Sequence, residues 1–117
     1  MMKKHVLLIT LMITSLFYGC EQYVIEPPDE VTFTNIQAIF TKSCTGCHFE
    51  GTTLSTGLYL TEGDAYNALQ VGALIDTANP ASSILYVKLN SGDHSIYASK
   101  SQRESILKWI EDGAPNN

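Results

Sequence analysis

The sequence predicts a small all-α domain, and three observations carry that prediction. Apolar residues recur at helical spacing in two stretches, Phe33-Ile36-Ile39-Phe40 and Ile106-Leu107-Trp109-Ile110. Each stretch stands at a helix-opening pattern, Thr34-Asn35-Ile36-Gln37 in the first and Ser101-Gln102-Arg103-Glu104 in the second. Strand-like alternation is weak throughout.

Residues 1–4 end in Lys3-Lys4 and are followed by a mostly apolar run over 6–17. That run is too short for a membrane span, which needs about 20 residues, and suits the core of a secretion signal. It ends Leu16-Phe17-Tyr18-Gly19-Cys20. This stretch resembles the lipobox of bacterial lipoproteins, in which cleavage before the cysteine is coupled to its lipidation. Gly19 and Cys20 fit, whereas Phe17 and Tyr18 are bulkier than the usual residues. The expectation is a signal peptide over 1–19, a lipid on Cys20 and an extracytoplasmic chain anchored to a membrane. Glu21, where some bacteria use aspartate for inner-membrane retention, points to the outer membrane. Ordinary cleavage or an uncleaved anchor would also take the chain out of the cytoplasm.

Residues 20–30 include Glu26-Pro27-Pro28-Asp29-Glu30 and read as an acidic tether. The domain proper is expected over 31–117, long enough for one core and not for two. Its first helix runs directly into Cys44. Residues 50–57, rich in Gly, Ser and Thr, read as a loop. Leu58-Tyr59-Leu60 is a short apolar segment. A brief helix follows, with Asp64 as cap and Ala65, Ala68 and Leu69 inward. Asn79-Pro80 opens a helix of about ten residues with Ile84, Leu85 and Leu89 as its apolar face. Residues 90–95 form a polar loop containing Gly92 and His94. In the terminal helix Glu104 and Lys108 stand at i,i+4 spacing, and Gly113 followed by Pro115 ends it.

Cys44-Thr45-Gly46-Cys47-His48 is the attachment pattern of a c-type haem. Each thiol adds across one porphyrin vinyl group, so the two sulfurs must face one macrocycle edge a helical turn apart. The next residue, His48, then reaches the iron as proximal ligand. Other readings fit less well. A thioredoxin-like pair wants a neighbouring βαβ unit. A zinc site needs about four tetrahedral ligands, and of Cys44, Cys47, His48 and His94 the adjacent pair Cys47 and His48 is hard to aim at one ion. An iron–sulfur cluster wants about four thiolates. A Cys44–Cys47 disulfide leaves His48 without a task.

The chain holds 7 Lys and Arg against 12 Asp and Glu, a net charge of −5. No basic stripe is present, which excludes nucleic acid as a natural partner. The acidic residues are scattered and read as a solvated surface, with steering of basic redox partners as the alternative.

Further pieces now join the pentapeptide: Leu58-Tyr59-Leu60, Asn79-Pro80-Ala81-Ser82-Ser83-Ile84-Leu85-Tyr86, and Trp109-Ile110-Glu111-Asp112-Gly113-Ala114. Over about 33–114 the chain resembles the small monohaem cytochrome c domains related to planctomycete-type cytochromes. The resemblance implies the cytochrome c fold, about four short helices around one covalently bound haem c. In it the first and last helices cross with the haem between them, and Trp109 lies in that crossing. It also implies electron transfer with other redox proteins, whether as a free subunit or beside larger extracytoplasmic enzymes.

One departure stands out. Such domains carry a Met-Pro before the last helix, the methionine sulfur being the sixth iron ligand. Here the three methionines, Met1, Met2 and Met12, all lie in the leader. The equivalent stretch is Ser91-Gly92-Asp93-His94-Ser95-Ile96-Tyr97, with His94 near the methionine's place. Three readings of the sixth position stay open: His94, an open or water-bound site, or Lys88, Lys100 or Tyr97. Thioether ligation raises the potential, so a chain without it should sit lower. The expected activity is electron transfer with no catalytic side chain. A gas-binding sensor with an open iron position is the alternative, and a peroxidase-type enzyme using His94 is the weakest reading.

Overall fold

The computed structural model describes residues 30–54 and 57–117. The expected leader over 1–19, Cys20 with its lipid, and all of the tether before Glu30 lie outside the described residues, as do Ser55 and Thr56 in the 50–57 loop. The described residues are helical and contain no strand. Four α-helices occur among them: α1 Phe33–Ser43, α2 Ala65–Val71, α3 Ile84–Leu89 and α4 Lys100–Glu111. Two 3-10 turns, Pro80–Ser82 and Gly92–Ile96, flank α3. No helix among the described residues is long and apolar enough to cross a membrane.

Both long helices open on capping boxes, each starting two residues before the pattern read from sequence. In α1 the cap is Thr32, not Thr34: its side chain accepts from the Asn35 amide while Asn35 Oδ1 accepts from the Thr32 amide. Asparagine does there what glutamate or glutamine usually does. Val31 before the cap and Ile36 inside the helix are both buried, as a hydrophobic staple requires. Asn117 completes the end by accepting from the Phe33 and Thr34 amides, at 2.9 and 3.1 Å. In α4 the cap is Ser99, not Ser101, with Gln102 as its reciprocal partner.

The expected ten-residue helix from Asn79 is instead a 3-10 turn followed by the six-residue α3. The break falls at Ser83, which is 1% exposed and turned toward Asp76. Ser83 Oγ accepts from the Asp76 amide at 2.9 Å, and Asp76 Oδ1 accepts from the Ala78 and Asn79 amides. Leu85 and Leu89 face the core as expected, but Ile84 is 49% exposed. Asp64 flanks α2 without capping it, because its carboxylate accepts from the Thr61 hydroxyl instead. Glu104 pairs with Lys100 and Lys108 with Asp112; such exposed pairs contribute well under about 1 kcal/mol each.

The core is one cluster. Phe33, Ile36 and Phe40 of α1 meet Ile106, Trp109 and Ile110 of α4, joined by Leu60, Leu69, Leu85 and Leu89. Each such side chain, fully buried, stabilises the fold by about 1.5–3 kcal/mol. Trp109 is fully buried, its ring 5.4 Å from Phe33 and 6.4 Å from Tyr66. Its Nε1 donates to Pro115 O at 2.9 Å, and Tyr66 donates to Ala114 O at 3.1 Å. Gly113, at φ +94°, ends α4 in a Schellman motif: its amide bonds Ile110 O and the Ala114 amide bonds Trp109 O. The tail is thereby folded back over the first and last helices.

Candidate functional site

Residues 44–48 form one compact turn stacked on the end of α1. The Cys44 amide donates to Phe40 O at 2.8 Å, and the Thr45 hydroxyl donates to Thr41 O at 2.9 Å. The Cys47 and His48 amides then both donate to Cys44 O, at 3.1 and 2.9 Å. Helical curvature thus continues past Ser43, and the two cysteines stand about one turn apart. Cys44 packs against the core, Cys47 is exposed, and both are free thiols.

Burial, with the neighbouring Cys47 as a second cause, pushes the Cys44 thiol up from 9.0 to about 11. Redox dithiols and metal thiolates depend on a lowered thiol pKa. In Cys44 burial shifts it the opposite way.

His48 is fixed from two sides by the segment after the loop. Its carbonyl accepts from the Leu60 amide at 2.9 Å, and its Nδ1 lies 3.1 Å from Leu58 O. A carbonyl oxygen only accepts, so the ring proton sits on Nδ1 and Nε2 keeps a free lone pair. This contact fixes the orientation of the His48 ring, as such a bond does for a metal-binding histidine. Leu60, 3% exposed, anchors the segment in the core. The Leu58 carbonyl is a partner of His48 that sequence reading missed, since a backbone acceptor leaves no signature in residue type.

His94 lies in the Gly92–Ile96 turn, which Gly92 enters at φ +57°. It is exposed, and its ring centre stands 6.3 Å from that of His48 at an interplanar angle of 46°. A histidine nitrogen binds a metal at about 2.0–2.1 Å, and the ring centre lies just over about 1 Å behind that nitrogen. Two imidazoles on opposite sides of one ion therefore have centres roughly 6 Å apart. The observed separation of the ring centres is of that size. Of the other candidates, Lys100 is engaged with Glu104 at 3.6 Å, while Tyr97 places its ring 6.4 Å from that of His94.

No group of three or more His, Cys, Asp and Glu is gathered to hold a metal ion among the described residues. A haem iron would take one or two ligands from the chain, which His48 and His94 could supply. An open groove of about 520 Å³ between the segment at Leu58 and Tyr59 and the α2 residues Ala68 and Val71 contains neither cysteine nor histidine. The motif's chemistry is not located there.

In comparisons with protein-family models, curated proteins and solved structures, nothing matches this chain. The site must be judged on its own residues. Two free thiols a turn apart, a histidine with Nε2 available and a second imidazole at metal-spanning distance fit a covalently held haem. Cys44 and Cys47 would hold its edge, and His48 and His94 its iron.

Proposed function

We propose that this chain is a monohaem c-type cytochrome with the cytochrome c fold, tethered to a bacterial membrane through lipid on Cys20 and passing single electrons between redox proteins. The observation that carries this reading is the 6.3 Å separation of the His48 and His94 rings beside the Cys44 and Cys47 thiols. When bound, the haem supplies one-electron chemistry at its iron. The chain's own residues orient and enclose. Leu58 O holds the His48 ring in one tautomer. Phe49 directly follows His48, and Ile96 and Tyr97 closely follow His94; all three are exposed apolar surface that a macrocycle would cover. No side chain is required as acid, base or nucleophile, so the protein is read as a carrier and not an enzyme.

The test is intact-mass measurement of protein made in a host competent for cytochrome c assembly. The expected result is one haem per chain, resistant to acid–acetone, with a sharp α-band on reduction. Loss of covalent haem in Cys44→Ala and Cys47→Ala would accompany it. Extractable haem, or none, sinks the proposal. Labelling of cells with a traceable fatty acid tests the tether: absence of label from the wild type, or label persisting in Cys20→Ala, would contradict lipidation at Cys20.

A second reading rests on the exposure of His94 in a short surface turn. A ligand held in this way can yield to a small gas, which would make the protein a haem-based sensor. Complete and rapid carbon monoxide binding by the reduced wild type would favour that reading over the carrier.

A further inference from the structure

The turn bearing His94 is tied down on both sides. Before it, the Ser91 hydroxyl donates to Val87 O at 2.8 Å and the Asn90 side chain to Tyr86 O at 2.8 Å, fixing the start of the turn to the end of α3. After it, the guanidinium of Arg103 reaches back from the first turn of α4. Its Nη1 donates to Ser95 O at 3.2 Å and also to Ala98 O. Within the turn the bonds are local: Ser95 Oγ donates to Gly92 O, and the Tyr97 amide to His94 O. Local bonds hold the turn's shape but not its place on the protein. On the α4 side Arg103 ties it down beside the buried Ala98 and the Ser99 cap.

We infer that Arg103 is a positioning residue for the sixth iron ligand, holding the His94 turn against α4 so that the imidazole stays at binding distance from the metal. The inference rests on the haem reading above. Arg103 touches neither His94 nor the metal position; it acts through the Ser95 and Ala98 carbonyls. A charged planar donor bonding two carbonyls restrains a loop more strongly than neutral donors do. Removing both bonds should weaken the hold on His94 by roughly tenfold to a hundredfold. Because His94 must leave before an exogenous ligand can enter, Arg103 would set how readily the iron opens to one.

The experiment is stopped-flow carbon monoxide binding to the reduced holoprotein, in wild type, Arg103→Gln, Arg103→Lys, His94→Ala and the double variant Arg103→Gln/His94→Ala. Urea midpoints are measured alongside. Wild type is expected to bind slowly, at a rate that saturates with gas concentration. Arg103→Gln should raise the saturating rate at least about tenfold, with Arg103→Lys between the two. In the His94→Ala background Arg103→Gln should change nothing, because no sixth ligand remains to be positioned. An unchanged rate in Arg103→Gln, or an equal change in both backgrounds, overturns the inference while leaving the haem reading standing. A chain without covalent haem overturns both.

Discussion

The ring centres of His48 and His94 stand 6.3 Å apart, although α2 and α3 both lie between the two residues in the chain. His48 is delivered by the turn that extends α1 and is locked by the Leu58 carbonyl. His94 is delivered by a 3-10 turn strung between α3 and α4. The all-α core thus serves as a frame that brings two separately mounted imidazoles near one another.

In the proposed haem protein, replacing His94 with methionine would give the His/Met ligand pair usual in the family that the sequence resembles. His94→Met is expected to keep the iron six-coordinate and raise the reduction potential by on the order of 100 mV, since thioether ligation favours the reduced iron. Potentiometric titration of both proteins checks this. An unchanged potential would mean that residue 94 is not a ligand.

The Cys44 thiol gives a pH signature that distinguishes the loaded from the unloaded chain. Its folded pKa is raised from 9.0 to about 11, so the fold favours the neutral thiol. Stability tied to this group is fully present below about pH 9 and is lost as pH climbs through about 11. In haem-free protein the loss should amount to about 1–2 kcal/mol after allowance for its part exposure. A thioether sulfur does not titrate, so the loaded protein should show no such limb. Urea unfolding of both forms at pH 8 and pH 11 measures it, and identical slopes would contradict the assignment.

Helix α2 ends with Ala73, not a glycine, in the left-handed conformation at φ +50°. The Ala73 amide bonds Gln70 O and the Leu74 amide bonds Leu69 O, a Schellman closure. Glycine stands one residue earlier because a Cβ on Gly72 would lie 3.0 Å from Ala68 O and 3.2 Å from Leu74 Cγ. Ala73→Gly should therefore stabilise the protein by about 1 kcal/mol, while Gly72→Ala should destabilise it. Thermal unfolding of the pair decides the matter; stabilisation by the second change would contradict this account of the turn.

Trp109→Phe removes the donor to Pro115 O and leaves that carbonyl without its partner under the tail. The expected cost is about 2–4 kcal/mol, combining lost volume with the orphaned acceptor. A shift of the urea midpoint corresponding to less than about 1 kcal/mol would show that the tail is not held in this way.

Much of the frame was legible in the sequence, and the misses have physical causes. The stripes of α1 and α4 were visible because each helix buries one face, and Gly113 marked a stop that requires positive φ. The caps were misplaced because Thr32 and Asn35 form a box without glutamate or glutamine, and because Ser99 and Ser101 compete for the same helix start. The long helix expected from Asn79 is instead broken at the buried Ser83, which bonds Asp76 across the turn. At the candidate site, Cys44, Cys47, His48 and His94 are proposed from residue type and spacing, and the structure brings the two histidine rings to 6.3 Å. Leu58 and Arg103 could not be read in this way, since one acts through its carbonyl and the other looked like an ordinary charge on a helix surface.

The most direct test is the optical spectrum of purified protein, oxidised and dithionite-reduced, with and without carbon monoxide, for wild type and His94→Ala. A haem clasped between His48 and His94 predicts a low-spin wild type that is unreactive on mixing and a variant that takes up the gas at once. A wild type that already binds carbon monoxide fully, with a spectrum unaltered by His94→Ala, would contradict the account and leave His48 as the chain's sole iron ligand.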